Sequence, residues 1–225
     1  MRQISLDIET TGLNTSDGHR IIEIGCIEIV DRRVTQNNFH YYLNPERESD
    51  LGALAVHGIT SEFLRDKPKF SEVAESLCEF VKDAEVVIHN APFDVGFIGY
   101  ELKLMRSALG KLNNHCEIFD TLMLARKLHP GQRNSLDALC KRYGIDATNR
   151  TLHGALLDAE LLAFVYLAMT GGQSVLFAEA QSHSSRRRTT TFRREVEQHP
   201  ALSVVKATQE EQDAHEAFLE MLNKE

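Results

Sequence analysis

The chain has 225 residues, 42% of them hydrophobic, which is enough to bury the core of one ordinary domain and to leave an appendage. A formal net charge of −8 argues against broad electrostatic binding to a nucleic-acid backbone, although bound metal ions can supply positive charge locally. Four scattered cysteines without a CxxC pair argue against a disulfide framework or a zinc site. No apolar stretch is long enough to cross a membrane and the chain begins directly with a strand, so we expect a cytoplasmic protein without a signal peptide.

The first part of the chain predicts three strands in an antiparallel meander. Residues 2–8 are typical of a buried strand, residues 21–30 alternate apolar and polar side chains, and residues 39–43 end a third strand. A short helix is predicted over 50–56, and a longer one over 71–82, where apolar residues recur at helical spacing.

Helices and strands alternate in the next part of the chain. The pattern predicts strands at 85–89 and 118–119 and helices at 93–107, 121–128, 135–143 and 156–169. Ser135 is a suitable helix N-cap, and Gly171-Gly172 ends the last of these helices. Antiparallel strands followed by alternating helices and strands predict an α/β fold with a mixed sheet.

The composition changes after Gly172. Residues 178–200 are rich in Gln, Ser, Thr, Arg and His with few apolar side chains, which is typical of a flexible linker. A single amphipathic helix is predicted over 207–223, and it cannot bury its apolar face alone. The predicted organisation is therefore a domain over 1–172, a linker over 173–206 and a terminal helix over 207–225.

Two acids stand at the end of the first strand, in Asp7-Ile8-Glu9. Side chains alternate along a strand, so both carboxylates lie on one face, where they repel each other unless a cation separates them or one takes up a proton. Mg²⁺ and Mn²⁺ prefer oxygen ligands, so the pair predicts half of a metal site. The alternative is a strand end that turns into solvent with two ordinary surface acids.

Two further segments carry acids at helix starts. Pro92 marks the beginning of a helix after a short strand, which puts Asp94 in its first turn, where α/β folds place their sites. An acid that complements the helix dipole is the alternative there. Asp158 interrupts an apolar run, so a buried partner such as a metal ion is expected, and His153 is a candidate general base or an ordinary loop residue.

Together, Asp7-x-Glu9, His89-Asn90-x-x-Phe93-Asp94 and His153-x-Ala155-x-x-Asp158 resemble the DEDDh exonucleases in order and spacing. The resemblance covers residues 1 to about 172. Supporting segments are Thr10-Thr11-Gly12, Val56-His57-Gly58-Ile59-Thr60, Phe119-Asp120-Thr121-Leu122 and Ser135-Leu136-Asp137-Ala138-Leu139. The family implies a ribonuclease H-like mixed five-stranded sheet, with three antiparallel strands and then parallel strands, flanked by helices.

The resemblance implies a 3′–5′ exonuclease that releases nucleoside 5′-monophosphates with two divalent ions, Mg²⁺ or Mn²⁺. By this resemblance, Asp7 would bridge both ions, and Glu9 and Asp158 would hold the ion that activates water. Asp94 would act through the water shell of the second ion, and His153 would be the general base. The residues implied in substrate binding are Thr10, Thr11, Gly12, Leu13, His57 and Phe93. For His57 and Phe93, ordinary core or loop packing is the alternative.

The resemblance also implies partners for a proofreading subunit of a replicative polymerase. The substrate would be a single-stranded or mismatched DNA 3′ end, and the helix over 207–225 would dock on the polymerase subunit. Residues 173–177, Gln-Ser-Val-Leu-Phe, resemble the peptide that docks into bacterial sliding clamps, with a hydrophobic end of the domain as the alternative. A small stabilising subunit is a further candidate partner.

Two other functions fit parts of this pattern. A free-standing relative that trims RNA would use the same catalytic residues, although the long tail favours the replicative subunit. A structural adaptor with a degenerate nuclease fold would have lost an acid or the histidine, whereas all five residues are present.

Overall fold

The computed structural model describes residues 1–106, 108–148, 152–171 and 208–209. The chain divides into two units, Met1–Ala180 and Gln181–Glu225, and every element below belongs to the first. The clamp-binding peptide predicted at 173–177 and the linker over 173–206 lie outside the described residues, as does most of the helix predicted over 207–225. No helix within the described ranges is long and apolar enough to cross a membrane.

A mixed five-stranded sheet forms the centre of the first unit. Its strands lie in the order β3-β2-β1-β4-β5, with antiparallel pairing of β1 to β2 and of β2 to β3, and parallel pairing of β1 to β4 and of β4 to β5. The strands are β1 Arg2–Thr10, β2 Ile21–Val30, β3 Arg33–Tyr42, β4 Glu85–Ile88 and β5 Glu117–Asp120. This arrangement confirms the predicted meander followed by parallel strands, and it places β1 at the centre of the sheet.

Seven α-helices accompany the sheet in the described part of the chain. They are α1 Leu51–His57, α2 Ser61–Leu64, α3 Phe70–Val81, α4 Ala91–Leu104, α5 Thr121–Leu128, α6 Leu136–Tyr143 and α7 Ala155–Gly171. Ser135 caps α6 as predicted, with its side chain accepting a hydrogen bond from the Ala138 N–H. The short helix α2 was not predicted, because it has four residues and depends on the Thr60 side chain as its cap rather than on apolar periodicity.

Helix α4 begins two residues earlier than the sequence predicts and ends at Leu104 rather than near 107. The residue before it, Asn90, has φ of 71°, a left-handed conformation that asparagine tolerates better than most residues. This sharp turn connects β4 directly to α4, so Asp94 remains in the first turn of the helix as predicted.

The two faces of the sheet are covered by different helices. Ile4, Leu6 and Ile8 of β1 belong to a core that includes Leu77 of α3 and Phe97 of α4. Buried residues of the other face pack with α7, which also contacts α6 through a second cluster. Because side chains alternate along β1, Asp7 and Glu9 lie on the face that α7 covers.

Candidate active site

The first pair of predicted site residues lies on the central strand. Asp7 and Glu9 are half-buried, whereas their neighbours Leu6 and Ile8 are buried in the core. The alternation predicted from the sequence therefore holds, and both carboxylates face the same side of the sheet.

A glycine on the neighbouring strand lets α7 approach these acids. Gly25 of β2 is paired with Asp7 in the sheet register. A Cβ on Gly25 would lie 2.3 Å from the backbone carbon of Ala155 and from the backbone nitrogen of Leu156. The start of α7 therefore lies directly on the backbone of β2, which brings the following turn of α7 over β1.

This packing gathers three predicted site residues, which are Glu9, His153 and Asp158. One potential ligand atom from each lies within 4.8 Å of the other two. The Nδ1 atom of His153 is 3.3 Å from Oδ2 of Asp158, whose side chain is 4% exposed, against 43% for the histidine. A buried carboxylate in such a group is stabilised by a proton, a hydrogen bond or a cation.

Asp94 reaches the same region from the other side of the sheet. Its side chain is buried, and its carboxylate accepts hydrogen bonds from its own N–H and from the N–H of Ile8. Burial raises the pKa of Asp94 well above its ordinary value, and the negative charges of Glu9 and Asp120 raise it further. A cation beside Asp94 would offset both effects.

Asp7 and Asp94 share a neighbour in the buried thiol of Cys26. Burial raises the pKa of Cys26, and the charges of Asp7 and then Asp94 add to this effect. Asp7 and Asp94 therefore lie near one thiol, Asp94 also feels the charge of Glu9, and Glu9 lies close to Asp158. Their carboxylate oxygens are the ligands that hard divalent cations prefer, so this donor set fits Mg²⁺ or Mn²⁺.

A cavity of about 550 Å³ opens beside Glu9. Five of the six residues predicted to bind substrate line it, and these are Thr10, Gly12, Leu13, His57 and Phe93. The remaining lining residues are Ile8, Glu9, Asn14, Asp17, His19, Asp50, Gly52, Ala53 and Val56. Thr11 is the exception, because its side chain is fully buried behind the loop, where its Oγ1 accepts a hydrogen bond of 3.0 Å from the Arg20 N–H.

Two side chains give the cavity its aromatic and apolar character. Leu13 is 78% exposed at its edge, and the ring of Phe93 packs on Phe97 with a centroid separation of 4.9 Å. On the opposite wall, the Nδ1 atom of His57 accepts a hydrogen bond from the Ile59 N–H, so Nε2 carries the proton when the ring is neutral. Burial lowers the pKa of His57, which favours this neutral form.

A further acid, Glu23, lies beside the site and was not predicted from the sequence. Glu23 of β2 is paired with Glu9 of β1, so the two side chains lie on the same face, and Glu23 is only 2% exposed. Its Oε1 atom is 2.7 Å from Nε2 of His40, whereas Oε2 and the Nε2 atom of His57 have no hydrogen-bond partner among the described residues. The alternating pattern of the strand predicts only that Glu23 is a polar position. The pairing of β2 with β1 shows that it lies beside Glu9.

The comparisons with known proteins place this chain in a family and agree with its fold. Residues 4–166 match the family model described as exonuclease. The chain is 54% identical over 228 residues to the DNA polymerase III subunit epsilon of Escherichia coli K12, covering 99% of this chain and 94% of that protein. It is 49% identical over 234 residues to the subunit of the same name from Haemophilus influenzae, covering 99% and 91%.

A solved structure shows the same architecture. Exonuclease X in complex with 5′-overhanging duplex DNA has a TM-score of 0.59 and 26% identity, over 76% of this chain and 94% of that one. The fold is therefore that of a ribonuclease H-like exonuclease. The chain belongs to the exonuclease family and, within it, to the DNA polymerase III epsilon subunits.

Proposed function

We propose that the chain is the 3′–5′ proofreading exonuclease of DNA polymerase III and removes mismatched 3′-terminal nucleotides by metal-dependent hydrolysis. The observation that carries this proposal is the convergence of Glu9, His153 and Asp158 within 4.8 Å beside a cavity of about 550 Å³. The products would be nucleoside 5′-monophosphates.

Asp7, Glu9, Asp94 and Asp158 are the residues that would hold two divalent ions. When bound, such ions supply Lewis acidity at the scissile phosphate and positive charge in an acidic protein. The residues fit this role because Asp94 is buried beside the negative charge of Glu9 and has a raised pKa in the absence of a cation.

His153 would accept the proton of the attacking water. With 43% of its side chain exposed, the ring is accessible to solvent. Because an ionised Asp158 only accepts hydrogen bonds, it favours the tautomer with a proton on Nδ1, which puts the lone pair on Nε2. Asp158 lies in the first turn of α7 and His153 precedes this helix by two residues, so Asp158 also orients the ring.

The cavity would hold the terminal nucleotide. The loop from Thr10 to Leu13 forms one wall and α1 forms the other, and Phe93 also lines the cavity. Exposed Leu13 and half-buried Phe93 present apolar surface on which a base can stack. A cavity of this size fits one nucleotide, so a frayed or mismatched end would enter more readily than a paired one.

An assay on a 5′-labelled primer with a mismatched 3′ end tests this function. In Mg²⁺ the wild type should shorten the labelled primer one nucleotide at a time, whereas Asp7→Ala should leave the primer at its full length. Glu75→Ala, on the exposed face of α3, is the matched control for loss of an acid and should behave as wild type. Full activity of Asp7→Ala, or of the wild type in excess EDTA, would contradict the proposal. Equal cleavage of an RNA primer would instead favour the RNA-trimming alternative.

The tail would connect the exonuclease to the replication machinery. We propose that the segment 207–225, predicted from the sequence to be helical, binds the DNA polymerase III alpha subunit and that residues 173–177 bind the sliding clamp. Tethering raises the effective concentration of the exonuclease at the primer end, so an acidic domain needs no tight DNA binding of its own. This role implies a cytoplasmic location.

Co-elution on size exclusion tests the tail. The full chain should co-elute with the alpha subunit and a chain lacking 207–225 should not, whereas co-elution of the shortened chain would contradict the docking helix. Substitution of Leu176 and Phe177 by alanine should abolish binding to the clamp without changing binding to the alpha subunit. Adding a candidate small subunit to the same runs tests the remaining partner.

A further inference from the structure

A buried histidine supports the loop from Thr10 to Leu13 from behind. His19 is 5% exposed and lies at the back of the cavity. A Cβ on Gly12 would lie 2.3 Å from Cε1 of the His19 ring, so the ring packs directly on the backbone of the loop. Gly12 is the residue that permits this contact.

A hydrogen bond and an ion-pair contact connect the same ring to both sides of the cavity. Its Nδ1 atom is 3.0 Å from Oγ1 of Thr11, and its Nε2 atom is 3.3 Å from Oδ2 of Asp50. The Asp50 carboxylate only accepts, so this ion-pair contact is favourable when Nε2 carries a proton. The Thr11 oxygen already accepts from the Arg20 N–H, so its hydroxyl hydrogen is placed to donate to Nδ1.

Asp50 belongs to the opposite wall. It is the N-cap residue of α1, and this helix lines the cavity with Gly52, Ala53, Val56 and His57. Its backbone N–H also donates a hydrogen bond of 2.8 Å to the carbonyl oxygen of Thr11. The loop and the helix are thus joined by one backbone bond and by the side-chain bridge through His19.

We propose that His19 is a positioning residue that fixes the width of the cavity by holding the loop from Thr10 to Leu13 against α1. This inference rests on the proposed function, because it assumes that the cavity takes the terminal nucleotide. His19 acts through Thr11 and Asp50, so its loss weakens nucleotide binding while the metal ligands and His153 stay in place. Pre-organised walls bind a ligand more tightly because less freedom is lost on binding.

The test measures nucleotide affinity and turnover separately. His19→Phe keeps a ring behind Gly12 and removes both the hydrogen bond to Thr11 and the polar contact with Asp50. We expect it to raise KM for a single-stranded oligonucleotide and the inhibition constant of thymidine 5′-monophosphate by about 10-fold, the loss typical of one to two hydrogen bonds, with kcat within about 3-fold of wild type. His115→Phe is the matched control, because its ring bonds the Leu109 carbonyl far from the cavity, and it should change neither constant.

Asp50 offers a second route to the same answer if His19→Phe folds poorly. The Asp50 side chain is 62% exposed, so Asp50→Ala should fold, and its effect should resemble that of His19→Phe. Asp50→Asn keeps an oxygen that accepts from Nε2 and should restore most of the lost affinity. Because both substitutions break one bridge, the double variant should lose little more than either single variant.

A purely structural role gives a different result. In that case His19→Phe and Asp50→Ala would lower Tm but leave KM and the inhibition constant unchanged below the unfolding temperature, and the inference would be wrong. A fall in kcat as large as the rise in KM would also overturn it. An inactive wild type would refute the proposed function itself, whereas an active wild type with unchanged variants would refute only the role of His19.

Discussion

Gly25 lies opposite Asp7 in the sheet, and the backbone of Ala155 fills the space that a side chain on Gly25 would need. This contact sets the height of α7 above the sheet. Since Asp158 lies in the first turn of α7 and His153 just before it, the geometry of the site depends on a residue that carries no functional group.

The first prediction concerns this contact. Gly25→Ala places a Cβ 2.3 Å from backbone atoms that cannot rotate away, so α7 must shift. A displacement of about 1 Å in a catalytic group costs on the order of 10²-fold in rate, and we expect a loss of that size in kcat/KM on a mismatched primer. Gly96→Ala, where nothing lies within 4 Å of the added Cβ, is the control. Wild-type activity in a folded Gly25→Ala protein would show that α7 is not held in this way.

The second prediction concerns Asp94 and the stability of the metal-free protein. Its pKa is raised by burial and by neighbouring acids, so the native state holds this proton to a higher pH than the unfolded chain does. The stability that the protonated group contributes is present below the ordinary carboxyl pKa and is lost as pH rises through the raised pKa. In EDTA, Asp94→Asn should therefore raise Tm by several degrees at neutral pH and flatten its pH dependence, while it abolishes activity. A lower Tm at neutral pH would mean that the Asp94 charge is already compensated by the protein.

His153 gives the third prediction, which separates proton transfer from metal binding. His153→Ala should slow hydrolysis by about 10²–10⁴-fold, the size of a general-base contribution, because the four acids remain. The increase in Tm on addition of Mn²⁺ should be mostly retained, which differential scanning calorimetry can measure. Asp158→Asn should reduce both the rate and this metal-dependent increase. If His153→Ala removed the metal response entirely, the histidine would be a ligand rather than a base.

A buried ion pair that anchors α4 provides the fourth prediction. The Arg20 Nε and Nη2 atoms donate to Glu101 at 2.7 and 2.6 Å, and Glu101 is 1% exposed. Arg20→Ala leaves a buried carboxylate without its cation, so we expect the free energy of unfolding to fall by about 3–5 kcal/mol in a urea titration. The exposed pair of Lys82 and Glu79 is the control, and Lys82→Ala should change the free energy of unfolding by about 0–1 kcal/mol. A similar small effect for both variants would contradict the importance of burial.

The sequence predicted those features that depend on local pattern. The single face shared by Asp7 and Glu9 follows from strand alternation, and the place of Asp94 in its helix follows from Pro92. Features that depend on register were not predicted. Glu23 reads as a solvent-facing position until β2 is paired with β1, and His19 reads as a loop residue until α1 folds against it. Pairing across the sheet joins residues far apart in the chain, so no local pattern could reveal these neighbours.

We propose that the acids Asp7, Glu9, Asp94 and Asp158 together hold divalent ions beside the cavity of about 550 Å³. The most direct test is a crystal structure of the chain with Mn²⁺ and thymidine 5′-monophosphate, using the anomalous signal of manganese to locate the ions. We predict two peaks about 4 Å apart between these four carboxylates, with the nucleotide phosphate bound to both. Anomalous density elsewhere would contradict this assignment. So would carboxylates that, at saturating Mn²⁺, accept hydrogen bonds from the protein and bind no ion.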